Sequence, residues 1–174
     1  MSNFATETQV ESRKSIRAAA LADRIEEGAA LLATFAESLT NTEWSTPISD
    51  HDKRTVGVIV HHVGNMYPIE IGAVKAIADG NAITDVTWEV VADINANHAR
   101  DHAGVSKSEA LELLRRNSAD AANAVRELTD EQLDTAASFS LSFGAPVTAQ
   151  FVIEDHPLRH AWHHLAGIRK AVGK

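Results

Sequence analysis

Apolar residues in this chain recur at alternating three- and four-residue steps over long segments, a period that suits amphipathic helices and disfavours an extended sheet. In the first segment, read from about Glu11 to Leu39, Leu21, Ile25, Leu32, Phe35 and Leu39 share one face with Gly28 in the same row. Thr40 to Lys53 is rich in Thr, Ser, Asn and Asp and contains Pro47, so it reads as a loop. A second helix is expected from about Arg54 to Asp79, with Ile59, Val63, Met66, Ala73 and Ile77 on its buried row and Gly80 as its stop signal. Pro68 removes one backbone hydrogen bond inside that helix and clashes with the carbonyl of Gly64, so a kink or widened turn is expected there.

Thr87 to Ala103 reads as a shorter, more polar third helix with a weak packing face, ending at Gly104. The fourth begins with a capping-box pattern at Ser106 and Glu109, carries Leu111, Leu114, Ala121, Val125 and Leu128 on one face, and should end near Thr129. Phe139, Leu141 and Phe143 alternate with serines and suggest a loop or an edge hairpin. Thr148 can cap a last helix reaching about Val172, with Asp155, His156 and Pro157 offering a competing start. The expected architecture is all-α: one domain over residues 1–174, four long helices packed together and a short helix bridging between them. The long connection after the second helix leaves room for a crossover.

Composition narrows the function classes. Sixteen Lys and Arg against twenty-four Asp and Glu give a net charge of −8, which leaves no source for the phosphate neutralisation that nucleic-acid binding needs. Cysteine is absent, so disulfides, thiolate nucleophiles and Cys-type metal sites are excluded and any metal must be held by nitrogen and oxygen. Charges interrupt every apolar stretch before the roughly 18 to 20 residues that a membrane span requires. The N-terminal residues show no secretory h-region, and a cytoplasmic location is expected.

The nine histidines are clustered: His61 and His62 on the second helix, His98 and His102 on the third, and His156, His160, His163 and His164 on the last, with His51 isolated. Four residues along a helix turn the side chain by about 400°, so His160 and His164 lie about 40° apart on one face and can meet one ion. His62 borders the buried Ile59, Val63, Met66 row and is the best third ligand, whereas His61 points about 100° away. Three imidazoles would leave coordination positions open for water or substrate. His98 and His102 share the same four-residue spacing, but their polar helix argues for solvent exposure. His156 and His163 read as surface or supporting groups, because one helix cannot bring four imidazoles to one ion.

Glu70 falls on the buried row between Met66 and Ala73, where a carboxylate is costly unless paired. It reads as a functional group, as half of a salt bridge to a facing arginine, or as turned off the buried row by a rotation of the helix after Pro68. Trp44, Trp88 and Trp162 are read as packing groups.

Three segments resemble the DinB-like superfamily of metal-dependent enzymes, whose relatives include bacillithiol transferases and mycothiol-dependent maleylpyruvate isomerases. T-V-G-V-I-V-H-H-V, from Thr55 to Val63, is similar to the family's second-helix segment with its metal histidine. H-A-W-H-H, from His160 to His164, is similar to its final H-x-x-x-H, and G-A-P-V-T-A-Q-F leads into that helix. The resemblance implies a four-helix bundle and a metal triad at His62, His160 and His164, with nickel or zinc as the usual ion. His61 and His163 double the motif histidines, which leaves His61 as an alternative to His62.

The implied function is a metal-dependent transferase or hydrolase acting on a small molecule, with a low-molecular-weight thiol as a partner and Glu70 or His163 as proton carrier. The alternative is a non-catalytic metal-binding or stress-related helical bundle. The resemblance and the alanine-rich first helix also suggest a homodimer.

Overall fold

The computed structural model describes residues 15–174, so the expected start of the first helix near Glu11 lies outside the described residues. Ser and Thr side chains open almost every helix by accepting a backbone N–H three residues on, which satisfies one of the donors a helix start leaves free. Ser15 caps α1 (Ile16–Ser38), Thr40 caps α2 (Asn41–Trp44), and Thr55 caps α3 (Val56–Ala78). Thr87 and Ser106 do the same for α4 (Trp88–Asp101) and α5 (Lys107–Arg126), and Thr129 for α6 (Asp130–Asp134). At Ser106 the expected hydroxyl contact to the Glu109 N–H forms, while the reciprocal side-chain contact appears instead in the boxes at Thr40 and Thr129.

After α6, a two-stranded antiparallel hairpin pairs β1 (Ala136–Ser138) with β2 (Pro146–Thr148). The alternating Phe139, Leu141, Phe143 segment is therefore the link between the strands, folded in part as a 3-10 turn over Ser140–Ser142. Buried Phe139 seals it, and Phe143 closes the turn at φ 59° with its ring in solvent. Thr148 caps the last helix as expected. That helix has three parts: α7 (Ala149–Ile153), a π turn at Glu154–Leu158, and α8 (Arg159–Val172).

Four long elements form the bundle: α1, α3, α5 and the α7–α8 unit. α1 packs on α5 and α8, α3 packs on α5, α7 and α8, and α1 and α3 lie diagonally across the core. Glu37 pairs with Arg115 and Glu26 with Arg126, so α1 and α5 run antiparallel. Gly64 meets Leu114 while Lys75 lies near Ala124, so α3 and α5 run parallel. A parallel pair needs a crossover, and residues 79–106 provide it, carrying α4 along the way. Ile83 pins that crossover by exchanging backbone hydrogen bonds with Ser138 and Ser140.

The core comprises Leu21, Ile25 and Leu32 of α1, Ile59, Val63 and Ile77 of α3, and Leu111, Leu114, Ala121 and Val125 of α5, as the periodicity requires. On α3 the buried row passes through Tyr67 and Val74, with Met66 and Ala73 at its margin, because α5 and the last helix cover the two sides of that row. Trp162 lies over Gly28, and Trp44 over Gly57, in both cases where a Cβ would collide with the indole. These two rings are packing groups, whereas Trp88 is exposed.

The two helix prolines behave differently. α3 runs helically through Pro68, so the expected widened turn does not form there. The Gly64 carbonyl that Pro68 deprives of its helical partner instead accepts a hydrogen bond from Asn117 Nδ2 on α5, at 2.9 Å. The widened turn is found at Pro157, where the π turn accommodates the missing N–H by one extra residue.

Candidate metal centre

His62 sits in the middle of α3, where the helix is buried on all sides from Val56 to Gly64. His160 and His164 occupy successive turns of α8 and face it, downstream of the π turn that sets their rotation about the helix axis. Ring nitrogens of the three residues all lie within 4.8 Å of one another. His62 Nε2 and His160 Nε2 are 3.2 Å apart, and the His62 ring stands edge-on to both partners, with centroids at 5.0 and 5.5 Å. Two imidazoles bound at a Zn–N distance of about 2.0–2.1 Å in tetrahedral geometry would hold their nitrogens roughly 3.3 Å apart, so this spacing suits a shared ion.

Glu70 lies two turns beyond His62 on the same helix and is 7% exposed. Its Oε1 stands 2.8 Å from His160 Nδ1, the nitrogen on the far side of the ring from His62. A carboxylate behind a histidine fixes the ring's tautomer and orientation and raises the basicity of the opposite nitrogen, the usual support for a metal-binding imidazole. Glu70 therefore has a partner, but it is a histidine and not the expected arginine. His62 Nδ1 and Glu70 Oε2 are buried with no hydrogen-bond partner among the described residues. An all-nitrogen donor set, with these orphaned atoms beside it, fits a divalent ion of the imidazole-binding kind.

Burial, reinforced by the neighbouring imidazoles and by Arg54, pushes His62 down to about 2 and His164 down to about 3. Both are neutral at physiological pH, the state a metal ligand needs. Arg54 is held at the edge of the site by Asp52, with Nε–Oδ1 at 2.9 Å and Nη2–Oδ2 at 2.6 Å. His163 is exposed, with its ring edge-on to His164 at 5.2 Å. His156 stands edge-on to Phe139 at 5.6 Å, and burial lowers its pKa.

A family model of the DinB superfamily matches residues 24–168. The chain belongs to the DinB superfamily. Among solved structures it is similar to YfiT from Bacillus subtilis, described as a probable metal-dependent hydrolase with an unusual four-helix bundle topology. That likeness has a TM-score of 0.70 and 22% identity, covering 92% of this chain and 89% of the other, and it bears on the fold. None of the curated proteins searched matches the chain.

Within this DinB fold, the doubled histidines of α3 separate cleanly. His62 joins His160 and His164, while His61, about 100° further round the helix, is also buried and faces α4. There it meets His98 and His102, which corrects the expectation that this pair is solvent-facing. His98 is 7% exposed, and its Nε2 lies 2.8 Å from His61 Nδ1. The four-residue spacing of His98 and His102 was the available signal, outweighed by the polar character of their helix. Arg54 and Asp52 had no signal, because a short polar loop gives no period from which to place them. Among the described residues no helix is long and apolar enough to cross a membrane.

Proposed function

We propose that this protein is a metal-dependent enzyme that holds a divalent ion, nickel or zinc, on His62, His160 and His164 and acts on a small molecule by hydrolysis or thiol transfer. The observation that carries this reading is the convergence of three imidazoles from two helices, one of them backed by a carboxylate. The description of YfiT as a probable metal-dependent hydrolase supports the hydrolytic branch. When bound, the ion supplies Lewis acidity and lowers the pKa of a proton donor brought to it.

The chain's own residues then have distinct parts. His62 and His164, kept neutral by burial, offer lone pairs at physiological pH. Glu70 acts through His160 as a positioning residue. His163, exposed beside His164, is the group placed to pass protons to solvent.

The test uses protein purified without a His tag, stripped with chelator and reloaded with nickel, zinc or manganese. Ester and amide hydrolysis and low-molecular-weight thiol transfer are then assayed for the wild type and His164→Ala. Metal-dependent turnover lost in His164→Ala is the expected result. Binding without turnover in any assay would favour the non-catalytic metal-binding alternative, and absence of binding would overturn the reading. The dimer suggested by the sequence is a further proposal: sedimentation at micromolar concentration should give twice the 18.8 kDa chain mass.

A further inference from the structure

We infer that His61, His98 and His102 form a second site for a divalent transition-metal ion, one that fastens α4 to the bundle. Ring nitrogens of these three residues also lie within 4.8 Å of one another. His61 Nδ1 and His98 Nε2 are 2.8 Å apart, and the His102 ring lies 4.1 Å from that of His61 and 4.8 Å from that of His98. The design repeats that of the first site: one histidine of α3 meets a four-residue histidine pair from another helix. Adjacent residues of α3 thus serve opposite sides, and the clusters adjoin where His62 and His98 stand edge-on at 5.4 Å.

The second, independent observation is the way α4 is attached. A surface helix normally docks through an apolar stripe. Within α4, the one buried residue is His98, while Trp88 and Val90 point into solvent. A polar ring is therefore the innermost contact of this helix. Burying it costs free energy unless its nitrogens are satisfied, and the nitrogen it turns to His61 is Nε2. A single N–H···N hydrogen bond would explain the His61–His98 contact and leave the third ring unexplained. A shared ion accounts for all three. Three nitrogen donors without a carboxylate select zinc, nickel or copper over magnesium or calcium.

This inference does not depend on the proposed activity, and metal stoichiometry separates the two. The full chain, untagged and chelator-stripped, is equilibrated with zinc and with cobalt(II), desalted, and measured for bound metal per chain and for cobalt absorption. The wild type should hold two ions, the double variant His98→Ala/His102→Ala one, and His62→Ala/His164→Ala one. The single variant His102→Ala, at the partly exposed C-terminal end of α4, should keep the fold by circular dichroism and bind the second ion at least tenfold more weakly. In hydrogen exchange, zinc should slow the α4 amides of the wild type and leave those of the His98/His102 variant unchanged.

If the wild type holds one ion that the His98/His102 variant retains in full, the second site does not exist. If that variant still holds two, the inference is equally overturned. If the wild type holds one ion, lost from the His98/His102 variant and kept by the His62/His164 variant, the second site stands and the proposed active centre fails.

Discussion

Gly64 and Gly72 lie on the same helix, and the same substitution at each should shift stability in opposite directions. A Cβ at Gly64 would stand 2.9 Å from both the Cα and the N of Leu114 and 3.2 Å from the carbonyl carbon of Leu113. Carbon pairs rest at about 3.5–4.0 Å, so roughly 0.6 Å or more must be found. The obstructing atoms are backbone, so α3 and α5 must move apart as bodies. Overpacking of this kind costs about 1–3 kcal/mol. The separation would also stretch the 2.9 Å bond from Asn117 Nδ2 to the Gly64 carbonyl, and leaving such a buried acceptor unsatisfied adds about 1–3 kcal/mol. Against this, alanine is a better helix former than glycine by about 0.8–1.0 kcal/mol.

The net expectation for Gly64→Ala is a loss of about 1–5 kcal/mol, or about 2–4 °C in Tm per kcal/mol for a chain of this length. Gly72 has nothing within 4 Å of its Cβ position and is exposed, so Gly72→Ala should gain about 0.5–1 kcal/mol. Urea titration and thermal melts of both metal-free variants measure the pair. A Gly64→Ala protein as stable as the wild type would refute the close α3–α5 contact, and a Gly72→Ala protein less stable than the wild type would refute the open space at Gly72.

Glu70→Gln removes the charge behind His160 while keeping the shape, and metal affinity at the first site should fall about 10–100-fold in a competition assay with a chromophoric chelator, the fold being unchanged. Asn117→Ala leaves the Gly64 carbonyl without its donor and should cost about 1–3 kcal/mol in urea denaturation. In chelator, the metal-free protein should lose stability on acidification. His98, His164 and His62 sit at about 4, about 3 and about 2 in the fold, all below an unfolded value of about 6.5, so the unfolded chain binds more protons. Their contribution is complete above about pH 6.5 and drains away as pH falls towards those folded values; a flat stability profile from pH 7 to 4 would contradict it. Zinc at a hundred times its Kd should raise stability by about 2.7 kcal/mol per site, read as a higher Tm that chelator reverses.

What the sequence determined by itself is local. Helix period, Ser and Thr caps and glycine stops depend on neighbours three or four residues away, so α1, α3 and α5 were legible to within a turn or so over their described residues. The facing of His160 and His164 was legible for the same reason, since a hydrogen-bonded helix leaves no freedom in that spacing. Only the tertiary structure decided which elements meet. The parallel α3–α5 pair, the diagonal placement of α1 and α3, and the meeting of His61 with α4 depend on how ridges of one helix settle against another. Glu70 was legible as a buried carboxylate, but its partner, His160, is ninety positions away. The docking of α4 was hidden for a sharper reason. A hydrophobic pattern reports burial of apolar atoms, and this helix is held by an imidazole, whose burial depends on nitrogen partners supplied from α3 and carries no periodic trace in its own segment.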